Sequence, residues 1–126
     1  MEDNSADVAL VKEALEEQGV RCELTVIPNG ELAIRFIEEI NAGAEPCPRL
    51  VIIDLNLPKK PGREVLRKLR TSSLCGDMPV IVLSSSDSRQ DRDDVAQFPP
   101  SRYIRKPYNL DEFLNLGAVF KQYLAP

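Results

Sequence analysis

An α/β sandwich on a parallel sheet is the fold class that three features of the sequence predict. The segments RLVIIDL (49–55) and MPVIVLSSS (78–86) are nearly continuous apolar runs, as expected of strands covered on both faces. Strand-like and helix-period segments alternate along the whole chain, which favours parallel strands joined by right-handed helical crossovers. The 126 residues, 43% of them hydrophobic and free of internal repeats, suit one domain with one core.

Taken in order, Asn4 or Ser5 caps a first helix through ADVALVKEALEEQG, with Val8, Val11 and Leu15 on one face and Gly19 as terminator. CELTVI (22–27) has strand composition and ends at the turn PNG; Leu32, Ala33, Phe36, Ile37 and Ile40 then mark a second, amphipathic helix. A turn-rich loop, NAGAEPCP, leads into RLVIIDL, and 62–70 forms a third helix with Val65, Leu66 and Leu69 inward. After MPVIVLSSS, the polar DSRQDRDDVAQF predicts a weakly packed fourth helix that Pro99 and Pro100 must stop. SRYIRKP is a short last strand, and NLDEFLNLGAVFKQYL is a closing helix with Asn109 as N-cap and Glu112 three residues on.

Composition removes several function classes. The net charge of -4 disfavours direct binding to nucleic acid, and the basic set Lys59, Lys60, Arg63, Arg67, Lys68 and Arg70 reads as a solvated helix face. With no histidine, the chain cannot build a Ser-His-Asp or Cys-His centre or an imidazole metal site. Cys22, Cys47 and Cys75 are odd in number and widely spaced, so reduced thiols are expected. Neither a signal peptide nor a membrane span is apparent, and a cytoplasmic location is expected.

The chemistry is concentrated at strand ends. In a parallel α/β sheet the carboxyl ends of the strands share one rim, where ligands bind. Three predicted strand ends carry polar groups there: Asp54, Ser84 and Lys106. An isolated carboxylate such as Asp54 cannot be buried without partners. Taken singly, Lys106 reads as a solvated lysine, Glu2 and Asp3 as acids favoured by the dipole of the first helix, and Tyr103 as a half-buried aromatic.

Together, EDN (2–4), DLNLP (54–58), VLS ending at Ser84 and YIRKP (103–107) resemble the receiver domain of two-component response regulators over essentially the whole chain. The text DLNLPKKPGREVL is most similar to single-domain receivers that work with bacterial phytochrome-type histidine kinases. The resemblance implies a flavodoxin-like three-layer sandwich with strand order 2-1-3-4-5. It implies that Asp54 accepts a phosphoryl group from the phosphohistidine of a sensor histidine kinase, with Lys106 and Ser84 holding phosphoryl oxygens. It further implies Mg²⁺ on Asp3, Asp54 and the Asn56 carbonyl, with Glu2 acting through a water. Ser84 and Tyr103 would form the switch, Asn56 and Ser86 would tune phosphoryl lifetime, and an unknown downstream protein would read the result.

The resemblance also implies an apolar strand of about five residues ahead of the acid pair, and the sequence opens at Met1 without it. Residues 1–126 therefore read as an N-terminally truncated receiver with no output domain, in which a slot is left inside the sheet. Oligomerisation, strand exchange between chains or a distorted sheet is expected in consequence. The alternative reading is a receiver-like interaction module that takes no phosphate. A haloacid dehalogenase-type phosphatase would want a second acid where Asn56 stands, and a flavodoxin would want a Ser/Thr/Gly-rich loop after its first strand.

Overall fold

The computed structural model describes residues 1–86 and 88–124. Helices α1 (Ser5–Glu17) and α2 (Gly30–Asn41) are followed by β1 (Val51–Ile53), α3 (Gly62–Arg70), β2 (Val80–Ser84), α4 (Arg89–Val95), β3 (Arg102–Arg105) and α5 (Leu110–Leu124). The strands form one parallel sheet in the order β1-β2-β3, with Val51 opposite Val80 and Ser84 opposite Arg105. Helix α3 has the bounds its sequence predicts, with Val65, Leu66 and Leu69 buried. The expected fourth helix begins later than read; Asp87, its first residue in that reading, lies outside the described residues.

Alternation along the strands explains the three layers. Successive strand side chains point to opposite faces, so Val51, Ile53, Val80 and Val82 meet α2 and α3 on one side while Ile81 and Leu83 meet α1 and α5 on the other. The two faces together bury Ile37, Leu66 and Leu69 on one side and Phe113 and Phe120 on the other. Helix α4 buries only Val95, as its polar sequence predicts. Asn4 accepts from the backbone of Ala6 and Asp7 to start α1, and Gly19, at φ +68°, takes the left-handed conformation just beyond its end. Among the described residues no helix is long and apolar enough to cross a membrane.

Two expectations are corrected. CELTVI forms no strand: it runs beside the sheet with Leu24 and Val26 exposed, because a strand exists only where a neighbour supplies its ladder. Among the described residues its backbone bond to a neighbouring segment comes from Glu2, whose N–H donates to Ile27 C=O at 3.0 Å. Between it and β1 lies a cavity of about 520 Å³, lined by Val11, Leu15, Phe36, Val51 and Ile52 among others. Secondly, Cys47 and Cys75 are joined as a disulfide, with Cα atoms 5.9 Å apart, and only Cys22 is a free thiol. The two cysteines precede β1 and β2, whose parallel pairing brings their amino ends together; a separation of 28 residues cannot reveal this.

Met1 and Glu2 line one end of that cavity, beside the carboxyl end of β1. The Met1 ammonium donates to Ile52 C=O at 2.9 Å, and Met1 C=O accepts from Asp54 N–H at 3.1 Å. Burial, opposed by the Glu2 and Asp54 charges, pulls the Met1 amino group from 8.0 down to about 6. Between those values the unfolded chain binds the extra proton, so stability contributed by this group rises with pH through that window. In chelator-treated protein, the free-amine chain should gain about 2 kcal/mol from pH 6 to 8 relative to an N-acetylated chain. Paired urea titrations at the two pH values check this, and parallel curves for the two forms would refute it.

Candidate functional site

The three strand ends converge on one carboxylate. Asp54 directly follows β1 and is 5% exposed; Ser84 ends β2 and is fully buried; Lys106 directly follows β3. Backbone pairing sets their register, because Lys106 N–H donates to Ser84 C=O at 2.8 Å. Lys106 Nζ then lies 2.8 Å from Asp54 Oδ2, while Ser84 Oγ donates to Asp54 Oδ1 at 3.3 Å. The Asn56 N–H adds a 2.9 Å bond to Oδ1. Each carboxylate oxygen thus has a donor, which is how Asp54 stays buried.

Lys106 serves more than one acid. Its Nζ is also 2.8 Å from Glu2 Oε2 and 2.8 Å from Asp7 Oδ2. Burial alone would lower the lysine pKa, but the hydrogen bonds it donates to Asp54, Asp7 and Glu2 outweigh it and hold the group above its ordinary value. Burial pushes the Glu2 carboxyl up, partly offset by Lys106 and the Asn4 N–H. The ammonium is therefore a fixed positive charge next to Asp54.

Asp7 was absent from the sequence-based set. A signal existed: positions 7, 11 and 15 share one face of α1, and Val11 and Leu15 are buried, so Asp7 places a carboxylate on the inward stripe.

The carboxylate oxygens of Glu2, Asp3 and Asp54 lie within 4.8 Å of one another. An all-oxygen set of carboxylates beside solvent fits a hard divalent cation that retains some waters. Glu2 and Asp3 are held in place because Met1 bonds to the backbone of Ile52 and Asp54 and Glu2 to that of Ile27. The loop after Asp54 is shaped to match: Lys60 N–H donates to Pro58 C=O at 2.8 Å across Lys59, whose φ of 70° is that of a tight three-residue turn.

Tyr103 lies beside this rim. Its ring is half-buried against the α2 and α3 side of the core, its hydroxyl donates to Ser86 C=O at 2.8 Å, and the Arg92 guanidinium stacks 4.4 Å from the ring centroid. Ser86 hydrogen-bonds Asp91 and reaches back to Ser84 Oγ through its N–H at 3.4 Å. Ser84, Ser86 and Tyr103 are therefore linked, and of the residues expected at the site only the Asn56 side chain stands apart, exposed to solvent.

A buried aspartate, a lysine and a hydroxyl gather at adjacent parallel strand ends of a flavodoxin-like sandwich, with acids beside them that fit a divalent ion. The pattern of the response regulator receiver domain matches residues 1–116, and the chain belongs to that family, which serves two-component signalling. It is 32% identical over 117 residues to response regulator Rcp1 of Synechocystis, covering 92% of this chain and 80% of that protein. The crystal structure of the phosphorylated cyanobacterial phytochrome response regulator RcpA is 32% identical and superposes with a TM-score of 0.88 over 99% of this chain and 91% of that one. The Mn²⁺-bound form of Rcp1 follows at 30% identity and a TM-score of 0.86, covering 98% and 90%.

Proposed function

We propose that Asp54 is the phosphoacceptor, taking its phosphoryl group from the phosphohistidine of a sensor histidine kinase of the phytochrome type. The observation that carries this is the convergence of Lys106 Nζ and Ser84 Oγ on opposite oxygens of one buried carboxylate. An Asp54 oxygen forms the new O–P bond as the P–N bond to the donor imidazole breaks, and the departing imidazole takes a proton from solvent. Lys106 is positioned to neutralise one phosphoryl oxygen, and the Ser84 hydroxyl to donate to another. Glu2, Asp3, Asp54 and the Asn56 carbonyl would hold Mg²⁺, which neutralises phosphoryl charge when bound. These 126 residues contain no histidine, so the phosphohistidine donor lies outside them.

The output is a change of protein-binding face. Drawing Ser84 toward the phosphoryl group alters its link through Ser86 to Tyr103, whose hydroxyl would leave Ser86 C=O as the ring turns inward. A coupling of about 1–3 kcal/mol of this kind changes partner affinity roughly 5- to 150-fold. The partner is a downstream protein in the cytoplasm, and neither nucleic acid nor membrane is contacted directly. The reading of a module that takes no phosphate has no observation in its favour, since acid, ammonium and hydroxyl are assembled.

Incubation with acetyl phosphate and Mg²⁺, followed by intact mass, tests the assignment. The native chain should gain one phosphoryl group and Asp54→Asn none, with chelation of the metal abolishing the gain. Modification of both forms would refute Asp54 as acceptor.

A further inference from the structure

The Cys47–Cys75 link joins two unlike environments. Cys47 stands exposed in the connection between α2 and β1, whereas Cys75 is 4% exposed and belongs to the core on the α2 and α3 side of the sheet. An external thiolate therefore reaches only one of the two sulfurs, and attack at an accessible sulfur with departure of its partner is how thiol–disulfide exchange proceeds. Both cysteines also have a place once the bond opens. Cys47 Sγ lies 3.5 Å from Leu74 C=O, an acceptor that an S–H can use and a disulfide sulfur cannot. The Cys75 N–H donates to Ser72 Oγ at 3.2 Å, Ser72 Oγ donates to Asn41 Oδ1 at 2.6 Å, and a reduced cysteine in an apolar site packs as a small hydrophobe. What the bond restrains is the loop. Among the described residues no backbone–backbone hydrogen bond holds 45–49, so the link to Cys75 is what ties this stretch to the connection between α3 and β2.

We propose that Cys47–Cys75 is an exchangeable disulfide, with Cys47 Sγ as the attacked sulfur and a dithiol as the reductant. A thiolate of the dithiol bonds to Cys47 Sγ as the bond between the two cysteines breaks, and Cys75 Sγ leaves with that electron pair and takes up a proton. The second thiol of the reductant, giving up its proton, attacks its own sulfur in the mixed disulfide and releases the Cys47 thiolate, which is protonated in turn. The cysteine pair gains two electrons and two protons, and the dithiol becomes a disulfide. The outcome is a loop at the amino ends of β1 and β2 that is tethered when oxidised and released when reduced, at the end of the sheet opposite Asp54. In a reducing compartment a disulfide of this kind acts as a redox sensor and not as a permanent staple.

The test is independent of phosphorylation and is run without metal or phosphodonor. The native chain, and the same chain carrying Cys22→Ser to remove the third thiol, are treated with dithiothreitol and then with oxidised glutathione, both without denaturant. Samples are quenched in acid, alkylated in urea with N-ethylmaleimide and read by intact mass. Dithiothreitol should open the bond and oxidised glutathione restore it, alike in the two chains. On the Cys22→Ser background, oxidised glutathione should cap Cys47 in Cys75→Ala and leave Cys75 unmodified in folded Cys47→Ser. Reduction should preserve the circular dichroism of the fold while tryptic cleavage after Arg49 accelerates on the order of tenfold. A bond that opens only in concentrated urea would overturn the proposal. So would glutathione on Cys75, a reduced chain that does not reoxidise, or cleavage after Arg49 at one rate in both states.

Discussion

Lys106→Met should cost roughly 3–5 kcal/mol of stability at neutral pH, because Glu2, Asp7 and Asp54 would then face one another without their shared cation. The sign of the pH response identifies the cause. Burial already pushes the Glu2 carboxyl up and Lys106 opposes it, so without the ammonium the loss is small in acid and grows as pH climbs. Urea denaturation at low and neutral pH separates this from simple loss of packing, which would be independent of pH. Modification by acetyl phosphate should fall as well, since the same ammonium faces the proposed acceptor, Asp54. An unchanged urea midpoint at neutral pH would show that the three acids do not depend on Lys106.

Gly62→Ala should destabilise the fold by about 3 kcal/mol and disturb the site together with it. A Cβ at Gly62 would collide with the Asp54 carbonyl and come within 2.6 Å of Leu55 Cα, both of them backbone that cannot step aside. Gly62 N–H also donates to Leu55 C=O at 2.9 Å, so pushing α3 away breaks the bond that returns the loop to β1. The expected result is a lowered thermal midpoint accompanied by slower modification with acetyl phosphate. A variant as stable and as reactive as the native chain would show that the loop tolerates displacement.

The difference between what the sequence revealed and what it hid lies in locality. Helix α3 is legible because Val65, Leu66 and Leu69 are spaced for one face and Gly62 and Arg70 bound the periodic stretch. β1 and β2 are legible because burial on both faces leaves no polar residue until the rim. The convergence of Asp54, Ser84 and Lys106 follows from parallel strands sharing an end. Residues 22–27 mislead because β composition describes a side-chain preference, whereas a strand also requires a neighbour to hydrogen-bond, and among the described residues only the Glu2 N–H bonds to the segment's backbone. The Cys47–Cys75 link depends on the pairing of β1 with β2, which the spacing of cysteines does not encode. Asp7 was hidden differently: one acid among many on a charged helix, distinguished only by sharing a face with Val11 and Leu15.

A crystal structure of the chain with Mg²⁺ and beryllofluoride, an acyl phosphate mimic, would test most directly whether these groups act on one phosphoryl position. The expected result is beryllium on Asp54, fluorides bonded to Lys106 Nζ and Ser84 Oγ, and the metal between Asp3 and Asp54 at about 2.0–2.1 Å from its oxygens. The mimic bound elsewhere, or Lys106 still directed at Glu2 and Asp7 with Ser84 turned from Asp54, would contradict it.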